Sequence, residues 1–201
     1  LWASLPTAVD VVGQLGESAV VYYCGDDFSA LAGVDHDTVT CRESSLIEKA
    51  NLVLAASDTL AHRIGKSVVT RLPHGVDHDL FAAPKERAVD LPDDGRPIAG
   101  FYGSISEWID QDLLIDLSQR LPHWHFVLIG KTEVDVSALK TAPNMTFLGP
   151  RAHDELPRYS QHWTASILPF KDSPQIRACN PLKLREYLAA GRPVVSTVFP
   201  A

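Results

Sequence analysis

Cysteine is scarce in this chain: Cys24, Cys41 and Cys179 are odd in number and lack metal-type spacing, so free thiols are expected rather than a disulfide framework. Long apolar runs are missing too. None approaches the roughly 18–20 residues that span a bilayer, and no basic region followed by an apolar stretch opens the chain, so a cytoplasmic protein is expected. No repeat of fixed period is visible, which argues against a solenoid. Basic side chains are in short supply, 18 Lys and Arg against 25 Asp and Glu for a net charge of −7. The deficit is concentrated early: residues 1–80 hold 5 basic and 11 acidic side chains, residues 96–201 hold 11 and 10. A broad nucleic-acid surface is therefore excluded, because displacing counterions from phosphates needs a basic face. A small anionic ligand is not excluded, since local cations and helix N-termini decide that.

What is present is ordinary for a globular protein: 201 residues, 45% hydrophobic and 21% charged, enough for one large domain or two small ones. Short apolar runs predict strands at Ala19–Tyr23, Leu52–Ala56 and Val68–Leu72. Helical spacing of Leu46, Ile47 and Ala50 predicts a helix over Glu43–Ala50, and Ser57 or Asp58 caps another to about Ile64. Residues 81–97, with Pro84, Pro92, Gly95, Pro97 and mixed charges, support neither period and read as a linker. Beyond it the pattern predicts a strand at Ile98–Tyr102, an amphipathic helix over Ser104–Leu121 and strands at Phe126–Ile129 and Met145–Leu148. A short helix at Leu156–Ser160 and strands at Ala165–Leu168 and Pro193–Ser196 complete it. Strands alternating with helices imply parallel sheets, an α/β class. Each half looks incomplete, as expected of a chain truncated at both ends.

The segment Asn180–Thr197, NPLKLREYLAAGRPVVST, carries the strongest local signal. Asn180 suits an N-cap, Pro181 the first helical position and Gly191 the left-handed residue past the end. Lys183 and Glu186, three apart, share a face near a helix N-terminus that favours a phosphate, which places a hydroxyl acceptor beside an anion pocket.

This segment resembles the donor-nucleotide helix of retaining GT-B glycosyltransferases, of the glycosyltransferase family 1/4 and teichuronic-acid type, in which a glutamate one turn into the helix holds the ribose hydroxyls. Glu186 is the matching position. The family's usual second glutamate, eight positions earlier and close to the transferred sugar, is Ala178 here, so Lys183 and Arg177 are expected to balance more of the charge. In Gly100–Trp108, GFYGSISEW, Gly103 and a Ser104/Glu107 capping box read as a phosphate-approach loop, although any tight strand-to-helix turn needs glycine. The family has Arg and Lys after this turn. Ser104 and Ile105 stand there instead, which moves the expected phosphate contacts to Lys183, Arg177 and backbone N–H groups.

Leu72–Phe81, LPHGVDHDLF, resembles the family's segment at the end of the N-domain; His74 is a ligand contact or a turn histidine, and Phe81 a buried anchor. Asp26 and Asp27 follow a strand directly, at the carboxyl end where open α/β sheets bind ligands, and are either acceptor-site carboxylates or caps. Arg151, after Phe147–Pro150, falls where the family meets the nucleotide base, unless it is a solvent-facing loop arginine. Asp35-His36-Asp37 and Asp77-His78-Asp79 match a metal-binding Asp-x-Asp by chance-level length only, and His123 with His125 reads as a surface pair, so no metal is expected.

The resemblance thus implies a two-domain GT-B fold: an acceptor domain over 1–80, a linker over 81–97 and a donor domain over 98–201. It implies transfer of a sugar, with retention, from a UDP- or GDP-linked donor to a polysaccharide or lipid-linked acceptor in cell-surface polysaccharide synthesis, with peripheral membrane contact in the full-length protein. Asp26, Asp27 and His74 would serve the chemistry; Gly103, Ser104, Arg151, Arg177, Asn180, Lys183 and Glu186 would bind the donor. A sugar-nucleotide epimerase of the same fold and a non-catalytic scaffold module are the alternatives.

Overall fold

Short runs of branched and aromatic residues form the strands of two separate parallel sheets. The computed structural model of the chain describes residues 1–31, 33–65 and 69–200. These fall into two units, one built of Leu1–His74, Asp172–Pro181 and the residues from Phe199, the other of Gly75–Lys171 and Leu182–Val198.

In the first unit, β1 (Trp2–Ala3), β2 (Val21–Cys24), β3 (Leu52–Ala55) and β4 (Thr70–Arg71) pair in that order, all parallel. β1 has no counterpart in the sequence reading because two residues carry no period. β4 lies inside the expected Val68–Leu72, of which Val68 is outside the described residues. Helix α1 (His36–Lys49) starts well before the expected Glu43, because Asp35 accepts a hydrogen bond from the Thr38 N–H at 3.0 Å and caps an early, polar stretch that the apolar period does not mark. Helix α2 (Asp58–Ile64) has the expected Ser57 cap, and Gly65 ends it at φ +63°. Tyr22, Cys24, Leu46, Val53 and Leu60 form the core between sheet and helices. The short helix α7 (Pro174–Ala178) also belongs to this unit: Ala178 joins the core, and its carbonyl accepts from the Ser57 hydroxyl at 2.7 Å.

In the second unit, β5 (Ile98–Tyr102), β6 (His125–Ile129), β7 (Met145–Gly149), β8 (Ala165–Leu168) and β9 (Val194–Ser196) form a parallel sheet of order β7-β6-β5-β8-β9. Every residue of β5, β6 and β8 is buried, as continuous apolar runs covered on both faces require. Gly100 in β5 makes room for Trp163, since a Cβ there would lie 1.7 Å from the indole.

The helix expected over Ser104–Leu121 begins only at Gln111 (α4, Gln111–Arg120), capped by Asp110, and the short helices α5 (Ser137–Lys140) and α6 (Pro157–Ser160) follow it in this unit. Residues 103–105 instead continue the sheet: the Gly103 N–H donates to Ile129 O and the Ile105 N–H to Lys131 O, both at 2.8 Å, and Ile105 and Ile109 are buried. Ser104 and Glu107 therefore make no capping box at a helix start, because their backbone is already committed to strand-like pairing. Residues 81–97, expected as a linker, lie within the second unit. Helix α3 (His78–Ala82) buries Phe81 completely, Ala88 and Leu91 are buried, and the Gln161 amide donates to the carbonyls of Phe81 and Ala83. Single anchors hold this segment, which is why it shows no period. The two Asp-x-Asp matches are helix starts: Asp35 caps α1 and Asp77 caps α3 by accepting from the Leu80 N–H.

Candidate functional site

In the second unit, helix α8 (Leu182–Ala189) is fixed by Tyr187, which is fully buried against Tyr102 and Trp163 and accepts the Tyr102 N–H on its hydroxyl at 3.0 Å. Four residues earlier is one helical turn, so pinning Tyr187 at the end of β5 brings Lys183 over the next residue of that strand's exit, Gly103. The approach is close. Gly103 has φ +133°, and a Cβ built there would stand 2.1 Å from Lys183 Cε. Behind it Gly130, at φ +140°, leaves room for the Gly103 carbonyl, which a Cβ would meet at 2.0 Å. Two left-handed glycines thus bring the exits of β5 and β6 together at the carboxyl end of a parallel sheet, under one lysine.

Glu186, one residue before the anchor, keeps 12% of its side chain exposed, and its Oε1 lies 2.9 Å from His153 Nε2. A carboxylate can only accept, so Nε2 donates. Burial pushes the Tyr102 hydroxyl far above the ordinary tyrosine range, with Tyr187 and the Glu186 charge adding to it. Lys183 thus lies over Gly103 with Glu186 one turn along the same helix, and His153, unannounced by the sequence reading, joins Glu186. Its signal was weak: a histidine in a turn following a strand that ends in Gly149. Ser104 follows Gly103 within the sheet extension. Arg151 is engaged elsewhere, with Nη2 2.6 Å from Asp90 Oδ2 and Nε 2.8 Å from the Tyr159 hydroxyl, so its guanidinium has a structural partner where a base contact was expected.

In the first unit, Asp26 and Asp27 follow β2 directly, and they differ. Asp27 is nearly buried, accepts from the Ser29 N–H and hydroxyl, and has Arg63 Nε at 3.6 Å. Asp26 is raised above the usual carboxylate range, chiefly by burial, against the opposing effects of the Asp27 N–H and of His74. His74 Nδ1 shares a 2.8 Å hydrogen bond with the Tyr23 hydroxyl, and both rings lie beside Gly25, with nearest atoms 3.4–3.5 Å from where a Cβ would sit. Asp26, His74 and Tyr23 thus form one group, and Asp27 serves a second one. There, Glu43 accepts from both Arg63 Nη atoms (2.7 and 2.9 Å), from the Tyr22 hydroxyl (2.6 Å) and from the Cys24 thiol (3.5 Å). The sequence reading passed over this cluster, although Glu43 sits at helix spacing with Leu46, Ile47 and Ala50 and so on a buried stripe.

Arg177 and Asn180 also belong to the first unit; Arg177 is held by Asp172 through two 2.6 Å hydrogen bonds. His125 is a correction to the expected surface pair: it is buried and its Nε2 lies 3.0 Å from the Asp94 carboxylate, whereas His123 is exposed. Among the described residues no group of three His, Cys, Asp or Glu is placed to hold a metal ion, and no helix is long and apolar enough to cross a membrane.

Comparison with known proteins adds four findings. The chain is 30% identical over 221 aligned residues to a putative teichuronic acid biosynthesis glycosyltransferase, TuaH, of Bacillus subtilis, covering all of this chain and 56% of that protein. It therefore spans little more than half the length of this relative. Among solved structures it is similar to Anabaena Alr3699/HepE in complex with UDP and glucose (TM-score 0.75, 19% identity, 97% of this chain and 58% of that one). It is equally similar to sucrose-phosphate synthase of Thermosynechococcus elongatus (TM-score 0.75, 18% identity, 98% and 55%). Both likenesses agree with the two parallel sheets in giving an α/β, GT-B-like fold. Residues 96–201, the stretch that carries the Gly103–Lys183–Glu186 arrangement, match the family described as glycosyl transferases group 1, and the chain belongs to that family.

Proposed function

We propose that this chain is part of a retaining glycosyltransferase that moves a sugar from a nucleotide-diphosphate donor to a polysaccharide or lipid-linked acceptor in cell-surface polysaccharide synthesis in the cytoplasm. One observation carries the reading: Tyr187 anchors α8 so that Lys183 overhangs the left-handed Gly103 while Glu186 stays accessible three residues on. A lysine ammonium over a side-chain-free strand exit suits a diphosphate, and a mostly buried carboxylate with a small exposed edge suits the paired hydroxyls of a ribose. The teichuronic-acid relative and the UDP bound to the HepE protein support the same direction.

Departure of the diphosphate is then assisted electrostatically by Lys183, with no covalent chemistry asked of it. Asp26, raised by burial and set beside His74, is the residue of the first unit best suited to hold an acceptor hydroxyl, since Asp27 is occupied by Ser29 and Arg63. Calorimetric titration of the chain with UDP and with GDP tests the donor site and names the base. Binding of one at micromolar level, lost in Glu186→Ala, is the expected outcome. If neither nucleotide binds, or if Glu186→Ala leaves the affinity unchanged, the donor reading fails.

A further inference from the structure

We infer that His153 is a positioning residue for the nucleotide ribose, acting by fixing the orientation of the Glu186 carboxylate; this rests on the donor-site reading above. A glutamate's terminal torsion is broad, so a carboxylate meant to grip two adjacent hydroxyls with both oxygens needs something to hold its plane. His153 supplies it. Its Nε2 proton donates to Oε1 at 2.9 Å and takes up only one of the carboxylate's lone pairs.

The ring is itself held. Phe81, fully buried, meets it edge-on with centroids 5.3 Å apart at 71°. The 3-10 turn His153–Glu155 that bears it is closed by the Glu155 carboxylate, which accepts the Ala152 N–H at 3.1 Å. Phe81 of α3 thus braces the ring of His153, in the turn after β7, and His153 in turn holds the Glu186 carboxylate of α8.

Calorimetry with whichever of UDP and GDP binds, and with its 2′-deoxy form, tests the assignment on His153→Ala, His153→Gln and Glu186→Ala. His153→Ala should weaken the ribonucleotide about tenfold. His153→Gln, whose amide N–H can reach the same oxygen, should restore most of that. The 2′-deoxy nucleotide, which offers one hydroxyl fewer, should lose little on His153→Ala. Loss with Glu186→Ala but none with His153→Ala overturns the positioning role, as does an equal loss for both nucleotides. A Glu186→Ala variant that binds as the parent does overturns the donor site, and this inference with it.

Discussion

At the residue scale the most consequential group is Glu43. Burial alone would raise its carboxyl, yet hydrogen bonds from Arg63 and Tyr22 and the Arg63 charge leave it below the usual range. A carboxyl depressed in the folded state stabilises above its unfolded value, and that contribution is lost as pH falls through the folded one. Glu43→Gln should therefore cost about 3 kcal/mol at neutral pH by stranding Arg63, and the gap from the parent should narrow as the solution is acidified below about pH 4. Urea melts at several pH values measure it; parallel curves would show that the pair adds nothing. The same carboxylate controls a thiol. Burial first and the Glu43 charge second push Cys24 up to about 12, whereas Cys41 is exposed. Timed alkylation of native protein followed by peptide mass analysis should label Cys41 and spare Cys24 until denaturant is added.

Elements are where the sequence was most and least legible. Apart from β1, strand positions were recovered within about two residues, because buried parallel strands are plain apolar runs. Helix α2 was found from its Ser57 cap and α8 from Gly191, each a local signal with a local cause. The failures share another cause. Ser104–Leu121 was read as one amphipathic helix, but at its start the Gly103 and Ile105 N–H groups donate to the carbonyls of Ile129 and Lys131 from a distant segment, and no local pattern reports that. Residues 81–97 looked like a linker because Phe81, Ala88 and Leu91 anchor it singly. Gly103 was expected in a phosphate-approach turn that opens a helix; it accommodates the Lys183 side chain, and α4 begins eight residues later. Gly103→Ala should then cost about 1–3 kcal/mol in backbone strain and weaken nucleotide binding, since the methyl occupies the Lys183 stem. In a Lys183→Ala background the binding effect of Gly103→Ala should vanish while the stability cost remains. Thermal melts and titrations of the four proteins check both; additive losses in affinity would separate the glycine from the lysine.

For the whole molecule, the resemblance implied domains over 1–80 and 98–201 in simple chain order, and the membership of the two units does not follow chain order. The division falls between His74 and Gly75, yet Asp172–Pro181, threaded between β8 and α8, returns to the first unit. There Ile176 and Ala178 are buried, and the Ala178 carbonyl takes the Ser57 hydroxyl at the cap of α2. Removing that segment leaves a buried cap hydroxyl without its acceptor and uncovers the apolar side chains under α7, in a unit already too small to have stability to spare. A fragment of residues 1–74 should consequently show no cooperative thermal transition by circular dichroism, although it contains all four strands of its sheet. Supplying residues 172–181 by a short flexible link to its C-terminus should restore a transition, and Ser57→Ala should lower the midpoint of the linked form. If residues 1–74 melt cooperatively at the temperature of the intact chain, α7 is an ornament on the first unit rather than a part of its core.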